Sequence, residues 1–393
     1  MIYDFNIPNL SIALFSVAAL CLIYIIVVYC RRITMVRNMR RYCESEDTDD
    51  DTVMPHVSVV VYSPSDAEAL AESLPPILEQ DYKGIFDVVV VNDGNIGDSD
   101  IVVKRLKSKY SNLYLTFAPE GTRVLSHKKL ALTIGIKAAK GDIVLLTDAT
   151  TRVPSSKWLS GMMRHFHKPG IDLVIGYNHY NLPDKMGHLA CVFDDTADAV
   201  AWLTAANGGK AYRACPSNVA FRRQVFFDHK GYSNSLNLNH GDDDLFIHEI
   251  STPDNTEVEL SADTIGTTGY AKSAKRVLRY QRLAHAFTGR RLPKLTRRLM
   301  VIGEWLMWVL VAASVAGYVT GGIRNGFGLT LAVLLILAML VIVTLAWRGA
   351  VSALGYGKMA LSLPFLAAMR PLRNFFTNVR CGANRQANYT WQK

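Results

Sequence analysis

The acidic residues that could do chemistry are marked by where they fall. Asp66, Asp93 and Asp148 each follow a short run rich in β-branched and apolar residues, Val57 to Tyr62, Phe86 to Val91 and Ile143 to Thr147. A further acidic run is Gly241-Asp242-Asp243-Asp244. Aspartate is a common turn former, so one at a strand end says little. Several at successive strand ends, with an acidic run besides, make a set that could serve one ligand. Carboxylates accept N–H groups, hold divalent cations and take protons from hydroxyls. Among the bases, Lys128 and Lys129 open a helical stretch and could approach phosphate, though a solvated helix start explains them equally. Lys272, Lys275, Arg276, Arg279 and Arg282 recur at near-helical spacing, which suits either anionic lipid headgroups or a diphosphate. The six cysteines, at 21, 30, 43, 191, 215 and 381, form no CxxC pair and no zinc spacing.

The elements that must hold these residues alternate. After Val57 to Tyr62, Leu70, Leu74 and Ile77 repeat at helical spacing. A helix to about Tyr110, a strand from Leu113 to Phe117, a helix from His127 to Lys140 and a strand from Leu173 to Gly176 complete the pattern. Continuous β-branched runs between helices predict an α/β domain whose mainly parallel sheet is covered on both faces. Such sheets bind ligands at the carboxyl ends of their strands, where these acids fall.

The rest of the chain is set by hydropathy. Of 393 residues, 50% are hydrophobic, and the net charge is +9. Disorder is excluded as the main state, and so is a secreted disulfide scaffold. Apolar runs from Ile7 to Tyr29, Leu299 to Val319 and Gly328 to Trp347 are each long enough to span a bilayer. Arginines and lysines flank them on one side: Arg31 to Arg41 after the first, Arg290 to Arg298 before the second, Arg348 onward after the third. The positive-inside rule then predicts three spans with the middle of the chain and residue 393 on the cytoplasmic side. No basic region precedes the first run, so a cleaved signal peptide is not expected. Trp305, Trp308 and Trp347 are expected in aromatic belts and Glu304 at the interface. The broken apolar stretch from Ala350 to Met369 is expected to lie on the inner membrane face. The expected divisions are 1–43, an N-terminal membrane helix with its basic flank; 44–55, an acidic linker; 56–298, the α/β domain; 299–347, a membrane hairpin; and 348–393, a basic segment with an interfacial helix. The basic excess thus belongs to the membrane, and no nucleic-acid partner is expected.

Read together, these strings resemble a membrane-bound family 2 glycosyltransferase of the GT-A fold, over roughly Val57 to His285 and the flanking helices. VVVYSPSDAEAL is similar to the family's first strand and turn, with Asp66 at the usual Glu position. EQDYKGIFDVVVVNDGN resembles the second-strand motif, which implies that Asp93 contacts the nucleotide base. SHKKLALTIGIKAAKGDIVLLTDA resembles the segment leading into the DxD motif, with Lys129 and Asp148 near the donor. GDDDLFI resembles the motif that supplies the catalytic base, which implies Asp243 as base and Asp242 beside it. YQRLAH occupies the place of the QxxRW motif, which implies Gln281 and Arg282 at the donor. The resemblance implies a hexosyltransferase-type enzyme that uses a nucleotide-sugar donor, a membrane lipid or lipid-linked acceptor, and inversion at the sugar carbon. Because nucleotide sugars are cytosolic, the expected place is a bacterial inner membrane with the catalytic domain cytoplasmic; a Golgi or endoplasmic-reticulum enzyme of similar orientation is left open.

The match departs from the pattern at places that matter, including the glycine-rich strand, which here reads Ala214-Cys215-Pro216-Ser217-Asn218-Val219-Ala220. The DxD motif reads Asp148-Ala149-Thr150, so a hydroxyl stands where an acid usually holds Mg²⁺ or Mn²⁺. Asp148 is left as the metal ligand, and metal dependence is weakened. Ala284 stands where the last motif has arginine. These departures leave open a second reading, a membrane-tethered protein that binds nucleotide sugar or acts as a scaffold without turnover.

Overall fold

A computed structural model describes residues 8–45, 54–64, 66–92, 98–119, 126–181, 186–238, 241–242, 244–269, 282, 285–293, 295–322, 326–356 and 362–383. The chain enters in α1 (Asn9–Tyr24), passes through a π-helical stretch (Ile25–Cys30) and continues as α2 (Arg31–Ser45). Then come β1 (Val57–Ser63), α3 (Ala67–Leu78), β2 (Phe86–Asn92), α4 (Asp98–Lys107), β3 (Leu113–Phe117), α5 (His127–Ala138) and β4 (Ile143–Asp148). The next elements are β5 (Thr151–Arg152), α6 (Trp158–Met163), β6 (Leu173–Ile175), β7 (Asn178–Asn181) and α7 (Met186–Asn207). They are followed by β8 (Val219–Arg222), α8 (Arg223–Asp228), α9 (Leu245–Ile250), β9 (Thr256–Val258) and β10 (Gly266–Gly269). The last described helices are α10 (Leu295–Thr320), α11 (Gly326–Ala353) and α12 (Leu363–Ala383).

The main sheet has the order β3-β2-β1-β4-β8-β6-β9. The β1–β2, β1–β4, β2–β3 and β6–β9 pairs are parallel, while β8 runs antiparallel to both β4 and β6. The valine-rich strands are apolar at successive positions because both faces are covered. Val57, Val59, Val61, Val88 and Val90 pack with Leu70, Leu74 and Ile77 of α3. Val60, Val89, Val91, Val144 and Leu146 belong to the opposite core, with Leu132 and Ile136 of α5. Gly135 lets α5 press onto that face, since a Cβ there would fall 2.6 Å from Val60 Cγ1. Each such side chain withdrawn from water stabilises the domain by about 1.5–3 kcal/mol, so the sheet is a rigid base for its strand ends. A second sheet, β5-β10-β7, flanks the main one beyond β4 in sequence.

Asn9–Ser45, Arg297–Thr320 and Gly326–Ala353 are long and apolar enough to cross a membrane. They meet where Gly303 of α10 lies against Tyr29, whose hydroxyl accepts a hydrogen bond from Trp347 Nε1 at 3.2 Å. Trp347 is therefore buried in the bundle and does not join the aromatic belt expected of it; Trp305 and Trp308 do face outward. Glu304, expected at the interface, is also fully buried, paired with Arg370 of α12. The third span continues past Trp347 to Ala353, where Arg40 of α2 donates to the terminal carbonyl of Ala353 at 2.9 Å. That is the cationic end-capping a helix C-terminus favours. The membrane-end helices are tied to the domain by Arg164, which donates to the Cys43 carbonyl at 2.6 Å and to buried Glu259. Burial alone would raise Glu259, but its hydrogen bond with His165 and the Arg164 charge hold it below the usual range.

Helix α12 is two-sided. Leu366, Ala367 and Arg370 are buried, while Phe365, Phe375, Phe376 and Val379 are exposed.

Candidate active site

Asp148 is the last residue of β4 and lies beside Tyr62 of β1 in the parallel register. Its Oδ1 accepts hydrogen bonds from Thr150 N at 2.9 Å, Thr150 Oγ1 at 2.7 Å and Thr151 Oγ1 at 3.0 Å. The threonine that replaces the usual acid therefore orients the remaining carboxylate. Asp148 Oδ2 makes no hydrogen bond among the described residues, and the side chain is half-buried. Asp66 is exposed after β1 and caps α3, accepting from Ala69 N at 3.0 Å. Asp93 lies outside the described residues. Its predecessor Asn92 closes β2 and donates to Asp100 at 3.1 Å.

The acidic run approaches the same strand ends. Gly241, at φ +106°, makes a turn that a side-chain-bearing residue would strain against. Asp242 then forms an ion pair with Lys128 at the start of α5, and the Lys128 ammonium sits 6.0 Å from the Tyr62 ring centroid. Tyr62 thus links the Lys128–Asp242 pair to Asp148 through one strand register. Asp243 lies outside the described residues. Asp244 is fully buried; it caps α9 through Leu245 N at 2.7 Å and accepts from Thr288 and, at 3.4 Å, from Arg213. Lys129, expected near the donor, points inward: its ammonium is buried and donates to the Ser235 carbonyl at 2.7 Å and hydroxyl at 3.0 Å. Adjacent lysines on a helix point about 100° apart, and here the first of the two faces the acidic run.

Arg282 is held at a different place. It donates to Asp194 of α7 at 2.7 Å and to Asn374 of α12 at 2.8 Å. Arg373 also binds Asp194, at 2.8 Å, while Arg370 bridges Glu304 of α10 and Asp198 of α7. Burial works to raise Asp198, but Arg370, Arg282 and Arg213 outweigh it and hold it low. Asp195, in contrast, is pushed up to about 7 by burial and by Asp198 beside it, against the opposing charges of His285, Arg213 and Arg282. A cavity of about 90 Å³ opens here between α7, α10 and α12, lined by Asp198, Arg213, Arg282, His285 and Arg370 among others. Gln281 and Ala284 lie outside the described residues. The structure therefore brings Asp148, Tyr62, Lys128 and Asp242 together, and puts Arg282 in the charge network that docks α12.

No group of three or more His, Cys, Asp or Glu poised for a metal occurs among the described residues. The residues still fit a divalent cation of the kind held by one carboxylate with phosphate oxygens and water, because Asp148 Oδ2 is available and Oδ1 is fixed.

Comparison with known proteins agrees with the fold. The fold is similar to a mannosyltransferase from Pyrobaculum calidifontis, solved with GDP-Man and Mn²⁺, at TM-score 0.54 and 18% identity, over 91% of this chain and 99% of that one. A looser likeness, TM-score 0.40 and 14% identity over 83% and 92% of the two chains, is to S. aureus TarS residues 1–349 with UDP-GlcNAc, and carries no argument. A curated relative in Bradyrhizobium diazoefficiens, an N-acetylglucosaminyltransferase, is 30% identical over 127 residues, 32% of this chain. The match spans a quarter of that relative's length, 25%. The motifs resembled family 2; the family model that matches, over residues 13–387, is glycosyl transferase family 21. Sugar transfer is common to both, and the match runs from the first membrane helix to the end of α12: the chain belongs to glycosyl transferase family 21.

Proposed function

We propose that the protein transfers a hexosyl group from a nucleotide-sugar donor to a hydroxyl of a membrane-associated acceptor, a glycolipid or lipid-linked glycan, with inversion. The observation that carries this reading is Asp148, oriented by two threonines with one oxygen open, beside the Lys128–Asp242 pair at the carboxyl ends of β1 and β4. Asp93 accepts an N–H of the base, and Asp148 lies on the diphosphate side. A bound Mg²⁺ or Mn²⁺ would neutralise diphosphate charge there. Asp243 takes the acceptor proton as the acceptor oxygen bonds to the sugar carbon from the face opposite the leaving group. The bond from that carbon to the diphosphate oxygen breaks with its electron pair, and nucleoside diphosphate leaves. One direct displacement inverts the carbon. Asp242, paired with Lys128, positions Asp243, and Lys129 holds the preceding loop through Ser235. The GT-A domain faces the cytoplasm of a bacterial inner membrane in this reading.

Thermal stability of the purified full chain with UDP-GlcNAc and with GDP-mannose tests donor binding. One of the two is expected to raise the melting temperature, less so in Asp148→Ala. No response to either removes the donor site from these strand ends. A second reading, binding without turnover, is favoured by Thr150 in the place of the metal-holding acid; it predicts the same thermal shift and no nucleoside diphosphate release.

A further inference from the structure

The arginines around α10 fall into two sets. Arg213, Arg282, Arg370 and Arg373 each pair with a carboxylate. Arg290 and Arg298 are exposed and Arg297 half-buried, and none of these three has an ion pair or side-chain hydrogen bond among the described residues. All three line one groove of about 510 Å³, together with Gly289, Val301 and Ile302. The groove shares Ala286, Gly289, Arg297, Val301 and Asn378 with the smaller cavity that reaches Arg213, His285 and Asp198. It is therefore one passage, from the foot of a helix apolar enough to cross a membrane toward the interior of the domain. Gly289 leaves the space that the Arg297 guanidinium occupies, since any Cβ there would run into it.

Uncompensated guanidiniums beside an apolar wall suit an anionic head with an apolar tail. Arginine forks match phosphate oxygens two at a time, and groups at the foot of a span sit at headgroup depth. We propose that this groove binds a phosphate-bearing membrane lipid, its phosphate among Arg290, Arg297 and Arg298 and its chain along Val301 and Ile302. The proposal rests on the reading of a membrane acceptor and narrows it: the lipid carries a phosphate and enters the domain between α10 and α12.

The test is binding to the full chain in a neutral detergent, without nucleotide sugar. The probes are dioctanoyl phosphatidate, dioctanoylglycerol and inorganic phosphate. Phosphatidate is expected to bind at least tenfold more tightly than either of the others. Arg297→Gln and Arg298→Gln should each weaken it roughly tenfold, and Gly289→Ala should weaken it by displacing Arg297. Arg348→Gln, an exposed basic residue at the end of another span, should leave it unchanged. Equal binding of dioctanoylglycerol, equal binding of inorganic phosphate, or an equal loss in Arg348→Gln would each overturn the proposal; the last would reduce it to general surface charge. Donor-induced thermal shift, measured on the same variants, keeps the two readings apart. Loss of phosphatidate binding with the shift intact sinks only the groove, and absence of any donor shift sinks only the assignment of sugar transfer.

Discussion

At the scale of single residues, charge and burial divide the acids into distinct jobs. Asp244 is fully buried and takes three donors, so its work is structural. Asp244→Ala should cost about 1–3 kcal/mol, seen in thermal or denaturant unfolding, because the α9 cap is lost and Arg213 and Thr288 lose their acceptor. Asp195 predicts a pH dependence of stability. An ordinary aspartate titrates near 3.9, whereas this one is pushed up to about 7 in the fold. Between those values the native state holds a proton that the unfolded chain has released. The contribution is therefore fully present below about pH 4 and is lost as pH rises through about 7. Asp195→Asn should flatten that slope, raising the melting temperature relative to the parent more at pH 8 than at pH 5. Equal changes at both values would remove the raised carboxyl from the account.

At the scale of elements, α12 is held by buried charge rather than by apolar contact alone. Arg370 is 4% exposed and faces Glu304 and Asp198, so removing it strands two carboxylates. Arg370→Ala is expected to destabilise by about 3–5 kcal/mol. Limited proteolysis should then cut between α11 and α12 well before the domain is digested; unchanged protection would mean that α12 docks without this network. Little of this was legible in the sequence, because Arg370 and Glu304 stand 66 residues apart, and Arg370 and Asp198 stand 172 apart. Nothing local announces such a pair. β1, β2 and β4 were legible for the opposite reason: each is a run rich in β-branched and apolar residues closed by a turn former, and both boundaries are local. β8 was not, since Val219–Arg222 is four residues long and becomes a strand only through antiparallel pairing with β4 and β6. The site was half legible. Strand-end position marked Asp148, but which of two adjacent lysines would meet Asp242 depended on the rotation of α5.

At the scale of the whole molecule, a sheet covered on both faces, three helices long and apolar enough to cross a membrane, and the charged helix α12 pack together. Basic flanks on three apolar helices predict that a reporter fused after Lys393 reads as cytoplasmic; an external reading would overturn the three-span topology and require a further span between Ala350 and Met369. Sugar transfer is proposed to run through Asp243 of the acidic run. It is tested most directly by measuring nucleoside diphosphate release from the preferred nucleotide sugar, by the parent and by Asp243→Asn, in membranes that supply the acceptor. The asparagine keeps the shape of aspartate but cannot take the acceptor proton. Release is expected to fall about 10²–10⁴-fold in the variant while its donor-induced thermal shift stays as large as the parent's. A parent that releases nucleoside diphosphate while Asp243→Asn releases it equally fast would contradict the account and move the base to another carboxylate.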